Sequence, residues 1–241
     1  MVISGVQMST TNKKQFTHLK IHTQYSICEG AVKIIDLKDF CKKNKIHAIG
    51  LSDTKNLCGA LEFAENISKV GTQPIIGSQI NFKFKDQIGI LTLIANNFEG
   101  YKNIIGLSSK SYLENKTTDE PHCLFQELLN IKSGTTVLSG SFGGLIGNLF
   151  VKNLLTEIDE VLKLIKDIFK DKFYLEIQRH NDVGEKLFEE FLLKKSNDLA
   201  IPLIATQEVF YLDKDMHEAH DALICIGEKT YVNEKKRRKY S

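Results

Sequence analysis

Residues 34–95 read IIDLKDFCKKNKIHAIGLSDTKNLCGALEFAENISKVGTQPIIGSQINFKFKDQIGILTLIA, and they carry the main evidence for the fold class. Apolar residues recur alternately at helical spacing and in short runs of strand length. The first helical pattern covers 34–45, and the second runs from an N-cap at Asn56 to a C-cap at Gly71. The strand-like runs are 47–51, 74–82 and 88–95. This alternation predicts an α/β fold with mostly parallel strands.

The rest of the chain continues the same alternation. Thr156 and Asp159 resemble a capping box that opens one of the later helices. A closed barrel and an open, doubly wound sheet both fit this pattern. The further predicted strands are 16–21, 135–139, 173–177 and 202–205, and the further predicted helices are 99–113, 124–131, 156–169, 182–199 and 215–226.

The composition is that of an ordinary globular protein. The 241 residues carry a net charge of +2, so the whole surface does not indicate a nucleic-acid binder. Five cysteines without CxxC spacing favour neither a disulfide framework nor a cysteine zinc site, and they suit a reducing cytoplasm. No apolar run is long enough to cross a bilayer. The expected organisation is a disordered leader at 1–15, one domain at 16–227 and a basic tail at 228–241.

Polar side chains stand at the ends of several predicted strands. His22 and Asp53 follow the first two strands, and His180 and Glu208 follow two later ones. In parallel α/β folds the carboxyl ends of strands meet, and functional residues cluster there. Two histidines and two carboxylates at one place would be a ligand set for a divalent metal. The alternative is that each residue only ends its strand and caps a loop.

At the same positions the sequence resembles the PHP (polymerase and histidinol phosphatase) family, and in particular the PHP domains of bacterial replicative polymerase alpha subunits. In metal-binding members the first three motifs read like HLHxHTxYSxLDG, TDHxNxxG and PIIGxExY. The resembling segments follow the family order from residue 16 onward, which a chance match would not produce. They are FTHLKIHTQYSICEGA (16–31), GLSDTKNLCG (50–59), PIIGSQINF (74–82), LTLIANNFEGYKNIIGLSS (91–109), TVLSGS (136–141), YLEIQRH (174–180), ATQEVFYLDKDMHEAHDAL (205–223) and GEKTYVNEKKRRKYS (227–241).

This resemblance implies a fold and a set of site residues. The family fold is a distorted (β/α) barrel of PHP type, with mostly parallel strands and outer helices, which favours the barrel over the open sheet. Carried over motif by motif, four metal-ligand positions keep a coordinating side chain. They are His22, Asp53, His180 and Glu208, the last in place of an aspartate.

Five other ligand positions of the family have changed. The replacements are Lys20, Thr54 and Phe210 where the family has histidine, Gln79 where it has glutamate, and Ser141 where it has cysteine. Hydrolysis on a metal needs several anionic or imidazole donors, which amides, hydroxyls and a phenyl ring do not replace. The Lys20 ammonium would instead supply a cation's charge, paired with Asp53 or Glu208. We expect no multinuclear cluster, and at most a single weakly held zinc or manganese ion.

Three functions follow from the resemblance. The first is a catalytically silent scaffold of a polymerase alpha subunit, which supports the polymerase modules of the same chain and docks the proofreading exonuclease subunit. DNA would be contacted through the holoenzyme, magnesium would serve the polymerase modules, and residues 228–241 would lead towards them. The second is a metal-dependent phosphoesterase or 3′–5′ exonuclease that uses the surviving ligands. The third, a stand-alone phosphatase of the histidinol phosphatase branch, is disfavoured by segments 91–109 and 227–241.

Overall fold

The computed structural model describes residues 16–116, 118–131, 133–180, 182–238 and 240. The predicted leader at 1–15 lies outside the described residues. The strands are β1 (Lys20–Ile21), β2 (Ala48–Thr54), β3 (Gln73–Phe84), β4 (Gln87–Ala95), β5 (Cys123–Leu124), β6 (Thr135–Leu138), β7 (Phe173–Ile177), β8 (Leu203–Ala205) and β9 (Glu208–Val209). The helices are α1 (Ile34–Asn44), α2 (Ala60–Ser68), α3 (Phe98–Leu113), α4 (Phe125–Leu129), α5 (Leu145–Val151), α6 (Leu155–Phe169), α7 (Glu185–Leu199) and α8 (His217–Glu228).

The strands form one mixed sheet in the order β8-β7-β6-β4-β3-β2-β1-β9, and β5 pairs with β3. Strand β4 runs antiparallel to both of its neighbours, and the other pairs between described strands are parallel. The reversal follows from the two-residue connection between β3 and β4, because a parallel crossover needs a dozen residues or more.

The sheet curls until its two edges approach each other. Its edge strands β8 and β9 are joined only by Thr206 and Gln207. Ala205 and Glu208, at the facing strand ends, therefore lie within about 10 Å of each other. This curled sheet, with mostly parallel strands and helices around them, agrees with the distorted (β/α) barrel that the resemblance implied rather than with a doubly wound sheet.

Two hydrophobic clusters hold the helices against the sheet. The larger cluster joins β3, β4, β6 and β7 to α3–α7, and the smaller joins β1 and β2 to α1 and α2. Helix α6 illustrates the packing, because Ile158, Val161, Leu162 and Ile165 form one apolar stripe and are fully buried. Burying each such side chain contributes about 1.5–3 kcal/mol before the entropy of ordering it is subtracted.

Three local predictions were wrong in detail. The strand expected at 16–21 is shorter in the structure, where β1 covers Lys20–Ile21 and pairs with both β2 and β9. Helix α2 begins at Ala60, and Asn56 instead accepts a hydrogen bond from the Cys58 amide (3.0 Å) in the preceding turn. Helix α6 has Leu154 as its N-cap and no side-chain cap, so the predicted capping box at Thr156 is not formed.

All five cysteines are free. Cys41, Cys123 and Cys225 are buried, whereas Cys28 and Cys58 are exposed. Burial raises the pKa of Cys41 to about 11 and that of Cys123 to about 12. None of the described helices has both the length and the apolar character needed to cross a membrane.

Candidate functional site: a charge network in the barrel mouth

Side chains two residues apart on a strand point to the same face of a sheet, and this spacing builds the site. Lys20 and His22 come from β1 and the residue after it, and Glu176 and Gln178 come likewise from β7. Glu208 lies on β9, directly opposite Lys20 in the pairing register. Strands that are far apart in sequence therefore bring these polar groups together.

A buried lysine lies at the centre of the network. The Lys20 side chain is 1% exposed, and its Nζ lies 2.8 Å from Glu176 Oε1 and also contacts Glu208 Oε1. Burial alone would lower the pKa of Lys20, but the charges of the two carboxylates outweigh it and raise the pKa. The lysine is therefore a permanent cation between two acids.

The buried carboxylate of Glu176 is stabilised by the Lys20 ammonium. Its Oε1 also accepts hydrogen bonds from Gln178 Nε2 (3.0 Å) and from the Thr206 hydroxyl. Its second oxygen, Oε2, is buried and has no hydrogen-bond partner among the described residues. A carboxylate with one oxygen buried away from solvent needs a nearby positive charge, and Lys20 supplies it.

Glu208 accepts from several donors at once. Its Oε2 lies 2.5 Å from His22 Nε2, and Gln79 Nε2 donates to both of its oxygens at 3.0 and 3.1 Å. Burial would raise the pKa of Glu208, but the positive charge of Lys20 and the contact with His22 lower it well below its ordinary value. Glu208 is therefore an anion held by donors on β1, on the residue directly after it and on β3.

Asp53 belongs to a separate set of bonds. It accepts from the amide and hydroxyl of Thr23 (2.7 and 2.8 Å) and from the Ser26 hydroxyl (2.7 Å). Burial raises its pKa, and these hydrogen bonds oppose the shift. Of the two partners expected for Lys20, Glu208 is the one that the structure places beside it, and Asp53 has no contact with it. Ser26 links the two sets, because its Oγ also lies 3.4 Å from His22 Nδ1.

The replaced ligand positions line the mouth without forming a donor set. Phe210 stacks on the His22 ring, with 4.4 Å between ring centroids and 18° between the planes. The Thr54 hydroxyl donates to Glu29 and lies 3.2 Å from His22 Nδ1. Ser141 and Gln79 line a cavity of about 430 Å³ at this end of the barrel.

His180 stands apart from the other predicted ligands. Its Nε2 lies 3.3 Å from Gln178 Oε1 and its Nδ1 lies 3.3 Å from Gln207 Nε2. Of the four retained positions, only His22 and Glu208 are in direct contact. Within the described parts of the chain, no group of three or more His, Cys, Asp or Glu side chains is arranged to hold a metal ion.

The residues present do not fit the metal cluster that the family implies. The two carboxylates that could attract a divalent ion, Glu176 and Glu208, already share the Lys20 ammonium. The groups beside them are the imidazole of His22, a stacked phenyl ring, two amides and hydroxyls, and of these only the imidazole is a strong metal ligand. The described residues therefore form an ion-paired and hydrogen-bonded polar core around Lys20.

Several residues of the network were not identified from the sequence. Glu176 and Gln178 sit two apart in YLEIQRH, so they share one face of β7 while Phe173 and Leu175 pack on the other. Two polar residues at this spacing in an otherwise apolar strand could have indicated that they belong to the site. The tail residues Arg238 and Tyr240, which also line the cavity, carry no such signal.

Comparison with known proteins agrees with the resemblance. A family model described as the PHP domain matches residues 18–180. The DNA polymerase III subunit alpha of Rickettsia felis is 35% identical over 216 residues, which cover 89% of this chain and 18% of that protein. The protein of the same name from Caulobacter vibrioides is 33% identical over 245 residues, which cover 96% of this chain and 21% of that protein. The chain thus spans about a fifth of the length of these relatives.

Solved structures share the fold at low sequence identity. One is described as a metal-dependent phosphoesterase from Bifidobacterium adolescentis, with a TM-score of 0.56 and 12% identity, covering 87% of this chain and 96% of that one. Another is an amidohydrolase from Chromobacterium violaceum, with a TM-score of 0.52 and 7% identity, covering 86% of this chain and 96% of that one. The barrel, the ordered motifs and the match over 18–180 lead to one conclusion: the chain belongs to the PHP domain family.

Proposed function

We propose that this chain is the N-terminal PHP domain of a bacterial replicative DNA polymerase III alpha subunit, and that it is a scaffold without hydrolytic activity. The relatives named above support the polymerase assignment, since 33–35% identity extends over about nine-tenths of the chain. The observation that carries the silent role is the Lys20 ammonium between Glu176 and Glu208, where a hydrolase of this family needs a metal ion.

The scaffold would act in the cytoplasm within a longer polypeptide. The polymerase modules, with their magnesium ions, would lie elsewhere in that polypeptide, so the chain alone is expected to have no polymerase activity. Its barrel would support those modules and offer a surface to the proofreading exonuclease subunit, and DNA would be reached through the assembled holoenzyme. Co-purification of the chain with the exonuclease subunit tests the docking, and failure to form a complex at micromolar concentration removes it.

The silent role is tested by elemental analysis together with a nuclease assay. Purified chain should contain zinc and manganese far below one ion per molecule, and it should release no nucleotides from single-stranded DNA. A metal content near one ion per molecule would contradict the proposal. So would release of nucleotides that is abolished both by a chelator and by the His22→Ala, Asp53→Ala double substitution. His217→Ala, at an exposed position on α8, is the matched control.

A second candidate is a metal-dependent phosphoesterase or 3′–5′ exonuclease. The observation in its favour is that His22, Asp53, His180 and Glu208 all lie at the same end of the barrel, three of them lining the 430 Å³ cavity. One weakly held zinc or manganese ion on these residues would be its cofactor. Release of nucleotides that persists in the double variant would point to a contaminating nuclease and would remove this candidate.

A further inference from the structure

The last described residues of the chain fold back onto the barrel. The Arg237 side chain is 2% exposed, and its guanidinium bonds both oxygens of Asp221 on α8, with Nη1–Oδ1 at 2.5 Å and Nη2–Oδ2 at 2.6 Å. Nη2 also donates to the Val232 carbonyl at 3.0 Å. A bidentate pair of this kind is both directional and strong, so it fixes the path of the tail. The basic run at the end of the sequence is therefore partly a structural anchor.

Arg238 and Tyr240, which follow this anchor, lie across the cavity mouth. The Tyr240 ring packs on Phe210 at 4.2 Å between centroids, and its hydroxyl donates to Glu29 Oε1 at 2.9 Å. Arg238 Nη1 donates to the same oxygen at 3.1 Å. Both Arg238 and Tyr240 line the 430 Å³ cavity together with His22.

Glu29 connects this covering segment to the buried charges. Its Oε2 accepts from the Thr54 hydroxyl, which lies 3.2 Å from His22 Nδ1. The other ring nitrogen of His22 lies 2.5 Å from Glu208, the partner of Lys20. A continuous line of polar contacts therefore runs from the tail to the centre of the barrel.

We propose that Arg237, Arg238 and Tyr240 form a strap that closes the barrel mouth, and that Glu29 couples this strap to the buried network of Lys20 and Glu208. Displacement of the strap would uncover Phe210, leave Glu29 without two of its donors, and loosen the loop between β1 and α1 that carries Glu29. Because such coupling is reciprocal, loosening Glu29 would in turn free the strap.

Hydrogen–deuterium exchange of the chain, read by mass spectrometry, tests the strap. Tyr240→Ala removes the ring and the hydroxyl, and Asp221→Asn weakens the anchor of Arg237. Each variant should raise exchange at the amides of 22–31 and 206–212 by about tenfold, the effect of one lost hydrogen bond to a charged group. Tyr231→Ala is the matched control, because that tyrosine belongs to the same tail and is 75% exposed.

The reciprocal arm uses Glu29→Gln. This variant keeps the size of the side chain and should raise exchange in the tail peptide 229–240. Amides of α6 serve as the folding reference and should exchange at the wild-type rate in every variant. Equal exchange at 22–31 in Tyr240→Ala, Asp221→Asn and Tyr231→Ala, with an unchanged α6, would overturn the strap. An unaltered tail peptide in Glu29→Gln would overturn the coupling.

Discussion

Replacement of Lys20 by methionine should be among the most damaging single changes in this domain. Methionine keeps much of the length of the side chain but removes the charge, so Glu176 and Glu208 lose their shared counter-ion. With an effective dielectric constant of about 20, the 2.8 Å contact between Lys20 and Glu176 corresponds to a gross attraction of about 6 kcal/mol. Desolvation of both buried groups offsets much of that gain.

The loss of stability comes mainly from the glutamates that remain without their counter-ion. Glu176 is fully buried and has an unpaired Oε2, so it has no access to water once Lys20 is gone. Removal of one partner from a buried pair typically destabilises a protein by about 3–5 kcal/mol. Since the free energy of unfolding of a domain is about 5–15 kcal/mol, the Lys20→Met variant should lose a large fraction of its stability.

Urea unfolding at pH 7, followed by circular dichroism, measures this loss. The double variant Lys20→Met, Glu176→Gln should recover at least half of it, because the orphaned charge is removed as well. Lys38→Met is the matched control, since Lys38 forms only a 3.7 Å surface pair with Asp39 and should change stability by less than about 0.5 kcal/mol. A loss below about 1 kcal/mol for Lys20→Met, or no recovery in the double variant, would refute the argument.

Three further changes test other parts of the molecule. The pKa of Glu208 is lowered in the fold, so its contribution to stability is complete above the ordinary value of 4.5 and is lost as pH falls towards the folded-state pKa. Glu208→Gln should therefore flatten the acid limb of a stability–pH profile, and superimposable acid limbs would contradict this. Gly100→Ala would place a Cβ 1.7 Å from the Gly134 carbonyl oxygen and should cost about 2 kcal/mol or more, whereas Gly106→Ala in the same helix meets nothing and should gain about 0.5–1 kcal/mol. Equal midpoints of urea unfolding for the two glycine variants would count against the close contact between Gly100 and Gly134. Phe210→Ala removes a ring that stacks on His22 and packs at a tilt against Tyr240, and it should cost about 3 kcal/mol of stability. An unchanged melting temperature would contradict this.

The strand–helix alternation could be predicted from the sequence because apolar runs mark the strands and helices such as α6 have one apolar stripe. Closure of the sheet could not, since it depends on β9 pairing with β1 almost two hundred residues earlier. Periodicity describes neighbours along the chain and carries no information about such long-range pairs. The reversal of β4 was predictable in principle, because two residues are too few for a parallel connection.

The site could be predicted only in part, because its contacts also join residues that are far apart in sequence. Lys20 and Glu208 were identified from motif positions, and they are in contact in the structure. Glu176 was missed because it stands in the middle of an apolar strand, where its burial depends on a lysine brought by another strand. The strap could not be predicted, because Glu29 and Tyr240 are 211 positions apart and a basic tail usually indicates a solvated segment.

The distribution of the cysteines has a practical consequence. The thiolate is the nucleophile towards maleimides, and the high pKa values of Cys41 and Cys123 keep those thiols protonated at neutral pH. Thiol reagents will therefore reach Cys28 and Cys58 first. Cys28 lines the same groove as Arg238, so a fluorophore attached there would follow movements of the chain terminus without any engineered labelling position.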